Sequence, residues 1–301
     1  MIVDLTGFTT GVCDKLRQLT FCATVAYYRN EKVLKILEIP SKECPFYLID
    51  LFRLDGFDFE KIHYNLNENI IMNASNSSIT KSTVKQWIPF DIKVTIKDFL
   101  KKWKDIYAKI KPNKNILTNK EWDTVYKIGK NTIGIHIRTG DRLTSLPAKG
   151  GITKKQFNAF LKYKIPEIIK YANCNKYSVF LASDTYKADC KVRNMIKSKV
   201  NLIEYAKKWN SCGIRETEGE EFLLDLYGLS RTLEIFSTSG GGVPFTASLI
   251  AGKNTIPVHI WATHRLIDKI IIYLRVFSNS FSISKNIRLL FSLFSKKGIN
   301  S

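Results

Sequence analysis

The chain has 301 residues, of which 45% are hydrophobic and 12% are aromatic, a composition that excludes a disordered polypeptide. Lysine and arginine number 47 against 27 aspartate and glutamate, so the net charge of +20 predicts attraction to nucleic acid, anionic lipid or phosphorylated small molecules. The 6 cysteines are scattered without metal-ligand spacing, and no apolar run reaches the length of about 18 residues expected of a spanning helix.

The first segment is an α/β unit. "MIVDLT" predicts a strand, "GFTTG" a glycine loop and "VCDKLRQLTFCATVAYYRN" a helix, since Leu16, Leu19 and Ala23 recur at helical spacing. "EKVLKILEI" predicts a second strand. Gly11 is not followed by Lys-Ser/Thr, so a phosphate-binding P-loop is excluded. The N-terminus has no basic segment followed by an apolar run, so we expect a cytoplasmic protein with reduced cysteines.

The stretch between about residue 60 and residue 128 is polar and rich in lysine, with one amphipathic helix predicted at "IKDFLKKWKDIYAKI". A new α/β series begins after "YKIGKN". We therefore predict an N-terminal α/β domain over residues 1–128, a second over 129–264 and a basic tail over 265–301.

The second series opens with "TIGIHIRTGDRL", in which isoleucines alternate with Gly134, His136 and Arg138. The strand period of two places the isoleucines on one face and the other three residues on the opposite face. Gly134 leaves room for a close approach on that face. One interpretation is an edge strand with solvated polar side chains, and the other is a buried strand that carries functional residues.

Polar clusters follow further apolar strands of this series. "YSVFLA" is followed by Ser183-Asp184-Thr185, and "LEIF" by Ser-Thr-Ser-Gly-Gly-Gly at 237–242. Helices are predicted at "TKKQFNAFLKYKIPEIIKYA", "KADCKVRNMIK" and "PFTASLIAG", and a last strand at "NTIPVHI". Alternating strands and helices indicate a mostly parallel sheet, whose carboxyl edge is where ligands bind. Turn chemistry alone is the alternative explanation for any single cluster.

These clusters suit a nucleoside diphosphate. The Ser-Thr-Ser-Gly-Gly-Gly run before a helix offers hydroxyls, backbone N–H groups and the positive end of a helix dipole to an anion. Arg138 adds a planar cation that matches phosphate oxygens. Asp184 is a candidate acceptor for a ribose hydroxyl or a base N–H.

With these residues in view, three stretches resemble the motifs of the superfamily of α-1,2-, α-1,6- and protein O-fucosyltransferases: "HIRTGD", "LASDT" and "LYGLSRTLEIFSTSGGGVPFTASL". "GVCDKLRQL" resembles that superfamily's opening Gly-x-Gly-Asn-Arg-Leu-Arg-x-Leu. The resemblance implies two facing Rossmann-like domains of the GT-B kind. It also implies a GDP-fucose donor, transfer with inversion to a glycan or lipid-linked acceptor, and no metal or other cofactor.

The resemblance also assigns roles. Arg138 would bind the β-phosphate and stabilise the departing GDP. The donor-binding candidates are His136, Gly140, Asp141, Asp184, Ser237, Thr238, Ser239, Gly240, Gly11 and Arg17. Three positions depart from the family pattern: Thr139 stands where a second arginine is common, Cys13 replaces a glycine and Asp14 replaces an asparagine. Asp14 is the candidate base for the acceptor hydroxyl. The alternative is that Asp14 only stabilises the N-terminus of its helix, as acidic residues in a first turn do.

The C-terminal tail combines basic and apolar residues. "IIIYLRVF" and "IRLLFSLFS" are interleaved with basic residues, so the tail either lies on the inner, anionic membrane face or packs back on the first domain. A nucleic-acid-binding protein is the first rival, and it is disfavoured because lysine and arginine are spread along the chain. A non-catalytic nucleotide-sugar-binding relative is the second, left open by Thr139.

Overall fold

A computed structural model of the chain describes residues 1–6, 11–40, 46–62, 88–113, 119–140, 143, 152–209, 219–252 and 256–262. The predicted basic tail and the candidate residue Asp141 lie outside these ranges. Within them, no helix combines the length and the apolarity that a membrane span requires.

The N-terminal half is built around a small parallel sheet. Its elements in chain order are β1 (Ile2–Asp4), α1 (Val12–Tyr28), β2 (Val33–Leu37), α2 (Leu48–Leu51), β3 (Phe52–Leu54), β4 (Asp58–Ile62), α3 (Ile96–Tyr107), β5 (Ile110–Pro112) and α4 (Asn119–Lys127). Strands β1, β2 and β4 pair in parallel in that order, while β3 and β5 form a separate antiparallel pair. Helix α1 connects β1 to β2, as the sequence predicts.

The C-terminal half contains a larger parallel sheet. Its elements are β6 (Thr132–Ile137), α5 (Lys154–Ala159), a π-helical turn (Phe160–Lys164), α6 (Ile165–Asn175), β7 (Ser178–Ser183), α7 (Tyr186–Ile196), β8 (Leu202–Ile203), α8 (Gly219–Leu229), β9 (Ile235–Ser239), α9 (Gly242–Ile250) and β10 (Val258–Ala262). The five strands are parallel in the order β10-β9-β6-β7-β8. The alternating strands and helices expected from the sequence are confirmed.

Strand β6 is the middle strand of this sheet, between β9 and β7, and all of its residues are buried. The interpretation of an edge strand with solvated side chains is therefore wrong. The space at Gly134 is filled from within the protein, since a Cβ there would lie 2.8 Å from Leu229 Cδ2 and 3.1 Å from Thr232 Oγ1. Gly134 thus permits the end of α8 to pack on the sheet, and a ligand does not use this gap.

Strand β9 extends three residues beyond the apolar "LEIF" pattern, because Ser237 and Ser239 stay in the ladder with Ile260 and Ala262. All three hydroxyl residues at the end of β9 are buried. The polar cluster is consequently the end of the strand itself, and only the glycines form the turn before α9.

The two halves share one continuous apolar core. A single cluster of buried side chains contains Val3 and Leu16 of the first half together with Leu224 and Ala247 of the second. Polar contacts cross the same boundary: Tyr227 Oη donates to the Ile110 carbonyl at 3.1 Å, and Tyr107 Oη lies 3.4 Å from Thr246 Oγ1. This packing holds α1 and α3 against α9, which begins at the candidate site.

Candidate functional site

The carboxyl ends of β9, β6 and β7 form one edge of the larger sheet. His136 of β6 lies in register with Ser237 of β9 on one side and with Ala182 of β7 on the other. The residues after these positions therefore meet at the same edge. The sequence-based expectation that the three polar clusters follow neighbouring strands is confirmed.

Asp184 holds the loop that follows β6. Its Oδ1 accepts a hydrogen bond from the Thr139 backbone N–H at 2.8 Å, and its Oδ2 accepts one from the Gly140 N–H at 3.2 Å. Thr139 Oγ1 also lies 2.8 Å from Thr185 Oγ1, which ties the same loop to the end of β7. The structure gives Asp184 a positioning function for this loop, and Thr139 belongs to the same network.

Arg138 is fixed where this loop meets β9. Its backbone N–H donates to Thr238 Oγ1 at 2.9 Å, and its side chain is buried with 8% of the residue exposed. A Cβ atom at Gly241 would lie 3.4 Å from Arg138 Nη1. The guanidinium therefore lies beside Gly241, the N-cap residue of α9.

The turn between β9 and α9 offers several donors. Ser239 Oγ is buried, and within the described chain it has no hydrogen-bond partner. The Gly241 N–H donates to the Ser239 carbonyl at 3.0 Å, which fixes the turn, and Gly240 is exposed at its tip. The first N–H groups of a helix have no partner within the helix and carry partial positive charge. Together with Arg138, this turn has the donors and the positive charge that suit an anion.

His136 is a neutral, buried residue beneath this edge. The Ser237 hydroxyl donates its single hydrogen to the Ser239 carbonyl at 2.8 Å, so His136 Nδ1, 2.9 Å from Ser237 Oγ, must be the donor of that second contact. Burial, together with the positive charges of Arg138 and Lys207, lowers the pKa of His136 to about 3. The imidazole therefore carries its proton on Nδ1 and leaves Nε2 as an acceptor.

This depressed pKa predicts a pH-dependent stability. The unfolded chain binds a proton at His136 below about pH 6.5, whereas the native state stays neutral there, so the free energy of unfolding falls as the pH falls. The contribution of His136 is about 1.4 kcal/mol per pH unit. Urea unfolding between about pH 6.5 and about pH 4.5 should give a shallower pH slope for His136→Gln than for the wild type. Equal slopes would contradict the buried neutral histidine.

A buried ion pair that the sequence analysis did not identify lies beside β7. Lys207 Nζ is 2.5 Å from Asp225 Oδ2 and donates to the Ser183 carbonyl at 2.8 Å. Tyr205 Oη donates to Asp225 Oδ1 at 2.6 Å. Burial raises the pKa of Asp225, and Lys207 opposes that rise. The sequence signal was available, because Asp225 is a carboxylate inside the apolar stretch "EFLLDLYGL" of α8.

The first turn of α1 faces the start of α9. A Cβ atom at Gly242 would lie 2.7 Å from Cys13 Cβ, so the two helix ends are in direct contact. Gly11 is the N-cap of α1, and Asp14 in its first turn is ion-paired with Arg17. Both charged side chains remain about one-third exposed, at 36% and 30%. The structure thus brings the first turn of α1, with the candidate base Asp14 and the donor-binding candidates Gly11 and Arg17, to the start of α9.

In the part of the chain that the structure describes, no group of three or more His, Cys, Asp or Glu side chains is arranged to hold a metal ion. The cationic groups described at this edge include Arg138, Lys207 and the N-terminus of α9.

The fold is that of an α/β protein with two parallel sheets, in which Arg138 and the turn before α9 lie at the carboxyl edge of the larger sheet. No family model matches the sequence, and no curated protein matches it significantly. Among solved structures, the fucosyltransferase NodZ from Bradyrhizobium aligns with a TM-score of 0.50 and 16% identity, over 87% of this chain and 96% of that chain. This likeness establishes a fucosyltransferase-like fold, as the motif resemblance implies.

Two further solved structures align over similar lengths. POFUT1 in complex with GDP gives a TM-score of 0.48 and 11% identity, over 87% of this chain and 98% of that chain. The FUT1 protein of Arabidopsis thaliana, also in complex with GDP, gives a TM-score of 0.47 and 10% identity, over 88% of this chain and 71% of that chain.

Proposed function

We propose that this protein is a glycosyltransferase that transfers fucose from GDP-fucose to an acceptor hydroxyl. The observation that carries the proposal is the Arg138 guanidinium packed beside Gly241, where the turn from Ser239 meets the start of α9. This is a site for a diphosphate leaving group. The motif resemblance and the fucosyltransferase-like fold shared with NodZ support GDP-fucose as the donor.

The proposed reaction breaks the bond between fucose C1 and the β-phosphate oxygen, so negative charge develops on the departing GDP. Arg138 and the N–H groups at the start of α9 stand ready to stabilise this charge without rearrangement. The acceptor oxygen attacks C1 from the opposite side, which inverts the anomeric centre, and a base removes its proton. Asp14 is the base that we propose, with Arg17 as its ion-pair partner.

The two halves of the chain have different roles in this proposal. We propose that residues 1–128 provide the acceptor side, residues 129–264 bind the donor, and the acceptor is a glycan or a lipid-linked sugar. The net charge of +20 and the basic tail at 265–301 support peripheral attachment to an anionic membrane on its cytoplasmic face. A non-catalytic nucleotide-sugar-binding protein is the second candidate, favoured by the ion pair that already engages Asp14.

Thermal unfolding with a panel of nucleotides tests the donor assignment. A ligand that binds only the native state raises its stability by mass action, by about 2.7 kcal/mol at a concentration 100 times its Kd. GDP and GDP-fucose should raise the melting temperature, and UDP and ADP should not. A comparison of the shifts with GDP-mannose and GDP-fucose shows whether the protein distinguishes the two sugars. Equal shifts with all nucleotides, or none, would reject GDP-fucose as the donor.

A further inference from the structure

An aromatic pair lies at the carboxyl edge of β7, away from the diphosphate turn. Tyr186 is the first residue of α7, and its ring centroid is 5.8 Å from that of Trp209, with the two planes inclined at 69°. Tyr186 is 57% exposed although its ring contacts another aromatic side chain. The two rings form an open corner of aromatic surface next to the candidate site.

The buried ion pair of Lys207 and Asp225 lies between the aromatic corner and the candidate site. Lys207 Nζ, held by Asp225 and the Ser183 carbonyl, lies 4.9 Å from the centre of the Trp209 ring. Residues 205, 207 and 209 are half-buried and alternate with exposed residues in the segment after β8, so their side chains share one side of that segment. Lys207 also lies close enough to His136 to lower its pKa. The aromatic corner is therefore part of the same edge as Arg138.

We propose that this corner, formed by Tyr186 and Trp209, is the stacking site for the base of the nucleotide donor. The inference rests on the proposed function and adds a base subsite to it. The diphosphate turn follows β9 and the corner follows β7, two strand spacings away, which is about 10 Å. A nucleoside diphosphate, in which the ribose separates the phosphates from the base, spans this distance along the edge.

The position of the N-terminal half indicates that the aromatic corner binds the base of the donor and not the acceptor. Helix α1 meets the site at Gly242, on the β9 side, whereas Tyr186 follows β7 on the other side of β6. An acceptor bound near Asp14 therefore approaches from the side opposite to the aromatic corner. Every base has an aromatic face, so an exposed tyrosine ring beside a cationic edge has the chemistry that nucleotide stacking requires.

Calorimetric titration of the full chain with GDP and with inorganic pyrophosphate tests this inference. Tyr186→Ala should weaken GDP binding about tenfold, since stacking is lost, and should leave pyrophosphate binding unchanged because pyrophosphate has no base. Tyr186→Phe keeps the ring and should bind GDP within about twofold of the wild type. Tyr163, which is 55% exposed on the π-helical turn, provides the matched control Tyr163→Ala, for which both affinities should be unchanged.

The possible failures are distinguishable. If the wild type binds GDP and Tyr186→Ala binds it equally well, the base subsite is wrong and the proposed function stands. If Tyr186→Ala loses pyrophosphate binding as well as GDP binding, the ring does not act on the base and the subsite is again wrong. If the wild type binds neither ligand, the proposed function itself fails.

Discussion

Replacing Arg138 by Ala is expected to reduce fucose transfer from GDP-fucose by about 10³-fold. The reason is that the guanidinium is the charged group packed against the turn that begins α9, where the charge of departing GDP would develop. Lysine should not restore activity, because a point charge cannot replace the planar fork that binds two phosphate oxygens. The measurement is kcat/KM for GDP release from GDP-fucose in the presence of acceptor glycans.

Two controls separate this effect from a loss of structure. The backbone N–H of Arg138 still donates to Thr238 Oγ1 in the alanine variant, so its thermal unfolding should remain cooperative. Arg29, which directly follows the end of α1, is the matched control for Arg138. Its ion-pair partner is the exposed Asp91. Arg29→Ala should leave transfer unchanged. Near-normal turnover in Arg138→Ala would reject the proposed stabilisation of the leaving group.

Replacing Asp225 by Ala is expected to destabilise the native state by about 3–5 kcal/mol. The substitution leaves the Lys207 ammonium, whose side chain is 3% exposed, without its carboxylate and also removes the nearer of two acceptors of the Tyr205 hydroxyl. Removing one member of a buried ion pair costs far more than the net contribution of the pair, since an uncompensated charge is left behind. Urea unfolding of the wild type and the variant at pH 7 gives the difference.

The double variant Lys207→Met with Asp225→Leu should recover most of this loss, because it leaves no unpaired buried charge. The exposed pair of Arg53 and Asp55 is the comparison, and Asp55→Ala should cost less than about 1 kcal/mol. A change of less than about 1 kcal/mol for Asp225→Ala would mean that the pair is not buried as described.

The larger sheet follows from the sequence because its strands are short apolar runs separated by amphipathic helices. "TIGIHI" and "YSVFLA" match β6 and β7, "LEIF" covers the start of β9, and a ladder of parallel strands places their carboxyl ends together. The end of β9 was harder to predict, because Ser237 and Ser239 continue the ladder through backbone pairing that is independent of apolar side chains.

The finer structure of the site depends on contacts between residues distant in sequence. Asp184 binds the backbone of Thr139, 45 positions away, and a turn of Ser-Asp-Thr composition does not reveal that partner. The space above Gly134 is filled by the side chain of Leu229, and this contact depends on how α8 packs on the sheet. Asp225 has a detectable signal in its apolar helix, whereas its partner Lys207 lies in an irregular segment of a chain with 47 basic residues.

A crystal structure of the protein soaked with GDP-fucose tests the central proposal most directly. The diphosphate is expected against the Arg138 guanidinium and the N–H groups at the start of α9, with the fucose directed toward Asp14 and the base toward Tyr186. A nucleotide bound elsewhere, or a site without nucleotide at a concentration that saturates binding in solution, would contradict it.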